Sequence, residues 1–127
     1  MDDPQHLRPV RHGQPVVLVA EDETMICNIA RIALEAMGLF VLAANDGEQA
    51  LALSRQFPGT IHALVCDIVM PNLDGLGLCE QILNERPSIK VLLMSGVAGS
   101  VDGLPFLEKP FKPQELQGMV RQLMAGD

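Results

Sequence analysis

The sequence predicts an α/β fold in which five short strands form one parallel sheet with helices packed on both faces. Three observations carry that prediction. Short apolar runs alternate along the chain with stretches of helical period, the order expected of repeated strand–helix units. The central run, Leu64-Val65-Cys66-Asp67, has no polar alternation, as for a strand covered on both faces. The chain has 127 residues, 48% of them hydrophobic and 20% charged, which suits one domain with one good core.

The elements follow in order. Residues 1–14 are polar, with prolines and scattered charge. They lack the apolar stretch of a signal peptide and read as a flexible leader, which leaves 15–127 as the folded domain. Val16 to Ala20 is fully apolar and reads as the first strand, with Glu21-Asp22 directly after it. Acids there favour the start of the next helix and can still face a site. Met25 to Met37 has helical period, with Ile26, Ile29, Ala30, Ala33 and Met37 on one face and Gly38 as the stop. Leu39 to Ala43 reads as the second strand. Asn45-Asp46-Gly47 is a turn, and Asp46 with Gln49 makes a capping box. Ala50, Leu53 and Phe57 mark a short helix ended by Pro58-Gly59. After the Asp67 strand, Pro71 cannot continue a central strand and Asp74 can N-cap a helix from Gly75 to about Glu85. Arg86-Pro87 ends that helix. Ile89 to Met94 reads as the fourth strand, with Ser95 following, and Leu104 to Leu107 as the brief fifth, followed by Glu108-Lys109-Pro110-Phe111. The last helix starts near Pro113, with Leu116, Met119, Val120, Leu123 and Met124 as its stripe.

Composition narrows the function. The net charge of −7 argues against direct nucleic-acid binding through a basic surface. Cys27, Cys66 and Cys79 are odd in number and lie in apolar runs, so they read as buried free thiols of a reducing, cytoplasmic setting. No apolar run approaches the length of a membrane span.

Right-handed crossovers put the carboxyl ends of parallel strands on one edge, where open α/β sheets bind ligands. Glu21, Asp22, Asp67, Ser95 and Lys109 converge there. Taken alone, Asp67 would be a turn residue that ends its strand. Together, three carboxylates repel one another unless a cation intervenes. Mg²⁺ (or Mn²⁺) fits, since it needs few carboxylates and binds beside phosphate. None of these five residues is a His or a Cys, which argues against zinc. With the metal and Lys109 as positive clamps, an incoming phosphoryl group is neutralised on two sides and Asp67 is placed to be its acceptor. The Ser95 hydroxyl can hydrogen-bond a phosphoryl oxygen.

These motifs carry a resemblance. Val-Leu-Val-Ala-Glu21-Asp22, Cys66-Asp67-Ile-Val-Met-Pro-Asn-Leu-Asp-Gly, Leu-Met-Ser95-Gly and Lys109-Pro110-Phe111 resemble the receiver domain of two-component response regulators, over roughly Pro15 to Met124. The resemblance implies a flavodoxin-like doubly wound sheet in the order 2-1-3-4-5. It implies that Asp67 is the phosphoacceptor and that Asp22, Asp67 and the backbone carbonyl of Val69 hold Mg²⁺, with Glu21 helping through water. Ser95 is then the switch hydroxyl, Lys109 the phosphoryl-contacting lysine and Phe106 the aromatic switch, and the Lys109–Pro110 bond is cis. The implied donor is a sensor histidine kinase or a histidine phosphotransfer protein, and the implied output is a changed affinity for a downstream protein partner, with no membrane contact. Such a domain is a signalling receiver rather than an enzyme, with only self-phosphorylation and self-dephosphorylation chemistry.

Two departures stand out. The connection from Ser95 to Lys109 is short and carries Gly96, Gly99 and Gly103, so the fourth helix, between the fourth and fifth strands, is expected to be cut to a turn or missing. No effector domain follows the last helix, which fits a stand-alone receiver or a piece of a larger protein such as a hybrid kinase. Other classes remain as alternatives. A degenerate receiver would act only as a docking module. A haloacid-dehalogenase-like aspartyl-phosphate hydrolase would carry a second acid where this chain has Val69. A flavodoxin-like nucleotide or flavin binder would want a Gly- or Ser/Thr-rich phosphate loop, where Glu21-Asp22-Glu23 would repel phosphate.

Overall fold

The structure, a computed structural model, describes residues 10–96 and 103–126. Its strands are β1 (Val16–Ala20), β2 (Phe40–Ala44), β3 (Ala63–Asp67), β4 (Lys90–Ser95) and β5 (Phe106–Glu108). Its helices are α1 (Thr24–Glu35), α2 (Gly47–Gln56), α3 (Gly75–Glu85) and α4 (Pro113–Ala125). The strands pair in parallel in the order β2-β1-β3-β4-β5. This is the doubly wound, flavodoxin-like architecture that the sequence predicts.

Every residue of β1 and β3 is buried, which is why neither run alternates with polar residues. Successive side chains turn to opposite faces. Leu18, Leu64, Cys66 and Leu93 join Ala50 and Leu51 of α2 and Leu78 and Ile82 of α3 in one core layer. Val17, Val19, Val65 and Leu92 join Cys27, Ala30 and Leu34 of α1 and Leu116 and Val120 of α4 in the other. Each such Leu, Ile or Val side chain contributes about 1.5–3 kcal/mol relative to leaving it in water.

The buried face of α1 is the expected one at Ala30 and Ala33, with Met37 packed against the same core, but it departs at Ile29. The helix buries Cys27, Ala30, Ala33 and Leu34, whereas Ile29 and Ile32 stay 39% and 59% exposed. Two adjacent faces of this helix are apolar, and period alone cannot choose between them. The sheet takes the face where small Ala30 and Ala33 permit close approach, with Cys27 and Leu34 flanking them.

The helix starts follow the turn chemistry. Asp46 Oδ1 accepts from the Gln49 backbone N–H at 2.7 Å. The Gln49 side chain reaches back to the N–H of Asn45 at 3.0 Å, one residue before the position a capping box would use. Asp74 Oδ1 accepts from the Gly77 N–H at 2.8 Å. A Cβ at Gly75 would lie 2.1 Å from the Asp67 carbonyl oxygen, so only glycine lets α3 begin against the end of β3.

Strand edges shift slightly from the apolar runs. Leu39, Ile89 and Leu104 precede the paired residues of β2, β4 and β5, while Ala44, Ser95 and Glu108 are included in them. Of the segment read as a leader, residues 1–9 lie outside the described residues, while the Gln14 side chain donates to the Gly38 carbonyl at 3.1 Å. Residues 97–102 also lie outside them, and with them Val97, Gly99 and the expected short turn between β4 and β5. Among the described residues no helix is long and apolar enough to cross a membrane. Cys27, Cys66 and Cys79 are free and buried. Burial pushes the Cys27 thiol up to about 11 and raises those of Cys66 and Cys79.

Candidate functional site

The parallel register brings the carboxyl ends of β1, β3, β4 and β5 together. Glu21 follows β1 and its N–H donates to the Ala44 carbonyl at 3.0 Å, which carries the ladder one step past the strand. Asp67 ends β3 beside it. Ser95 ends β4, buried, and its carbonyl accepts from the Lys109 N–H at 2.7 Å, so the residue after β5 is fixed to β4. The Lys109–Pro110 peptide bond is cis.

The Lys109 side chain crosses the edge into the acids. Its Nζ lies 2.6 Å from Glu21 Oε1, 3.2 Å from Asp67 Oδ2 and 3.6 Å from Glu23 Oε1. The Asp67 contact is a hydrogen bond donated by the ammonium. The Glu21 contact is an ion pair without hydrogen-bond alignment, for Oε1 is buried with no hydrogen-bonded partner. Glu21 Oε2 does accept a hydrogen bond, from the Glu23 N–H at 3.0 Å.

A fully buried carboxylate is costly to ionise. Burial pushes Glu21 up to about 7, against the pull of Lys109 and the Glu23 N–H, and the charge of Asp67 adds to the rise. Burial works to lower Lys109, but Glu21 and Asp67 outweigh it and hold the ammonium above its usual value. The two shifts describe one buried pair: the lysine is kept charged by its acids, while at Glu21 burial prevails.

Glu21, Asp22 and Asp67 each offer a carboxylate oxygen, all within 4.8 Å of one another. This donor set is all oxygen and partly buried, and Glu21 Oε1 has no hydrogen bond to satisfy it. A hard divalent cation would satisfy that atom and relieve the repulsion, so the residues present fit such an ion.

The remaining predicted residues lie nearby or on the flank. Val69 stands two residues past Asp67 and is 69% exposed. Phe106 opens β5 opposite Leu93, half-buried against the core layer that includes α2 and α3. Glu23 was not singled out from the sequence as a lysine partner, yet the structure brings it to Lys109. The signal was present, since Glu23 continues the acidic run that begins at Glu21.

The "Response regulator receiver domain" family model matches residues 17–121. The chain is 36% identical over 116 residues to the "Probable transcriptional regulator ycf27" of Guillardia theta, covering 85% of this chain and 44% of that protein. It therefore spans less than half of that relative's length. The solved receiver domain from the hybrid histidine kinase CckA superposes with a TM-score of 0.78 at 34% identity, covering 86% of this chain and 98% of that one. A CheY-like response regulator receiver domain from Methanospirillum hungatei JF-1 gives a TM-score of 0.80 at 23% identity, over 89% and 95% of the two chains, and shows the likeness of fold. The chain belongs to the response regulator receiver domain family, and it is a receiver domain of two-component signalling.

Proposed function

We propose that this receiver takes a phosphoryl group onto Asp67 from the phosphohistidine of a sensor histidine kinase or histidine phosphotransfer protein, in a Mg²⁺-dependent step, and that the phosphorylated form changes its affinity for a downstream protein partner. The reading rests on one juxtaposition, three carboxylates within 4.8 Å and a lysine ammonium 3.2 Å from Asp67. An Asp67 carboxylate oxygen forms the new bond to phosphorus as the donor's nitrogen–phosphorus bond breaks, and the imidazole leaves with the electron pair. Lys109, held charged by its acids, moves from carboxylate to phosphoryl oxygen and keeps the charge balanced. The Ser95 hydroxyl donates to a phosphoryl oxygen and marks the modified state for β4 and β5. Glu21, Asp22, Asp67 and the Val69 carbonyl would hold Mg²⁺, which supplies neutralising charge to the phosphoryl oxygens. The chemistry is confined to the domain's own phosphorylation and dephosphorylation, with no separate substrate turned over, and the setting is cytoplasmic.

Labelling with acetyl phosphate or a phosphohistidine donor in Mg²⁺ tests this. The native chain becomes labelled, chelation of the metal stops it, and Asp67→Asn abolishes it, since the amide is not a competent acceptor and one metal-binding charge is lost. Undiminished labelling of the Asn variant would refute the assignment.

A further inference from the structure

We propose that Glu23 is a specificity-determining residue that disfavours small, freely diffusing anionic phosphodonors by holding a carboxylate against Lys109 at the mouth of the site. The inference rests on the reading of Asp67 as acceptor and adds a role for a residue outside the metal set. Three carboxylates surround Lys109, and they differ in setting. Glu21 and Asp67 are buried with side chains 0% and 8% exposed, whereas the Glu23 side chain is 64% exposed. Glu23 also occupies the N-cap of α1, and its longer side chain makes no capping hydrogen bond there. The side chain reaches 3.6 Å to Lys109 instead.

The consequence is electrostatic. A donor such as acetyl phosphate brings its negative charge to Asp67, where the Asp67 oxygen bonds to phosphorus as acetate departs with the electron pair. On the way it passes an exposed carboxylate and must take the lysine from it. Near a protein surface such a charge–charge term is worth about fivefold in rate, and it fades as salt shortens the screening length.

The experiment compares initial rates of acetyl phosphate labelling at saturating Mg²⁺ for the native chain, Glu23→Gln and Glu80→Gln. The last removes the same charge from an exposed position on α3. Glu23→Gln is expected to be about fivefold faster at low ionic strength, with the gain shrinking below about twofold in high salt, while Glu80→Gln matches the native rate. Fluorine NMR of bound beryllofluoride gives a readout apart from transfer, and the Gln variant is expected to bind it more tightly. Asp67-dependent labelling with no gain for Glu23→Gln, a gain that persists in high salt, or an equal gain for Glu80→Gln overturns the inference and leaves Asp67 as acceptor. Absence of Asp67-dependent labelling in every variant overturns both.

Discussion

At the amino-terminal edge of the sheet, Arg86 donates to the Ser54 hydroxyl at 3.0 Å and to the carbonyls of Ser54, Phe57 and Gly59 at 2.8, 3.0 and 2.8 Å. At the carboxyl-terminal edge, Lys109 stands among three carboxylates, one of which has a buried oxygen with no hydrogen bond. Both cations are partly buried, but they answer different needs. Arg86 satisfies carbonyls that the end of α2 leaves without helical partners, so its charge completes the fold. The three acids around Lys109 outnumber the one lysine, so their charge suits a further cation. A cleft of about 590 Å³ opens at the Arg86 edge, lined by Thr60, His62, Ser88 and Lys90, away from the acids. A cleft by itself therefore does not mark the chemistry here, whereas unbalanced charge does.

The largest effect is expected where charge completes the fold. Arg86→Ala orphans several acceptors at once, and each buried unsatisfied acceptor costs about 1–3 kcal/mol. Some of these carbonyls can turn to water, so a total of about 2–4 kcal/mol is expected, lowering Tm by about 10 °C. Urea unfolding measures the loss. In the folded variant the Mg²⁺ response should equal that of the native chain. A weakened Mg²⁺ response would break the comparison, because the two edges would then be coupled.

At the other edge, removing charge should do the reverse. Glu21 titrates near 4.5 when unfolded and about 7 when folded. Between those values the folded chain holds a proton that the unfolded chain has lost, so stability is fully present below the lower value and drains away as pH rises through the upper one. Glu21→Gln removes that loss. Without metal the variant should be more stable than the native chain at pH 8 by on the order of 2 kcal/mol and about equal to it at pH 5. Mg²⁺ should then stabilise the native chain more than the variant. Parallel stability–pH curves for the two proteins would show that burial of Glu21 is not what unbalances this edge.

The two edges were unequally legible in the sequence. Acids and a lysine at strand ends are unusual local patterns, and parallel topology is enough to bring Glu21, Asp22, Asp67 and Lys109 together. Strand order followed from the motifs they carry. Arg86 read only as the residue before Pro87, because its partners on α2 lie far away in sequence. The same limit explains α1. Ile29 and Leu34 are equally apolar, and only the sheet decides that Leu34 is buried. Glu23 was seen as one more acid, since nothing local says which way an N-cap side chain turns.

The smallest effect concerns how long a phosphoryl group taken onto Asp67, as proposed, would last. Hydrolysis requires a water in line behind the phosphorus. Val69 stands two residues past Asp67, is 69% exposed, and has an aliphatic side chain that cannot hydrogen-bond a water. Its exposure means that substitution should leave the fold nearly unchanged, so stability and chemistry separate cleanly here. Val69→Asn supplies an amide able to hold the water, and a shortening of the phosphoryl half-life by about threefold is expected, under 1 kcal/mol of barrier. The decay of labelled protein after donor removal measures it, with urea unfolding as the control. An unchanged or longer half-life would mean that exposed neighbours of the acid edge do not govern the water, and that the lifetime is set by the charges around Lys109 alone.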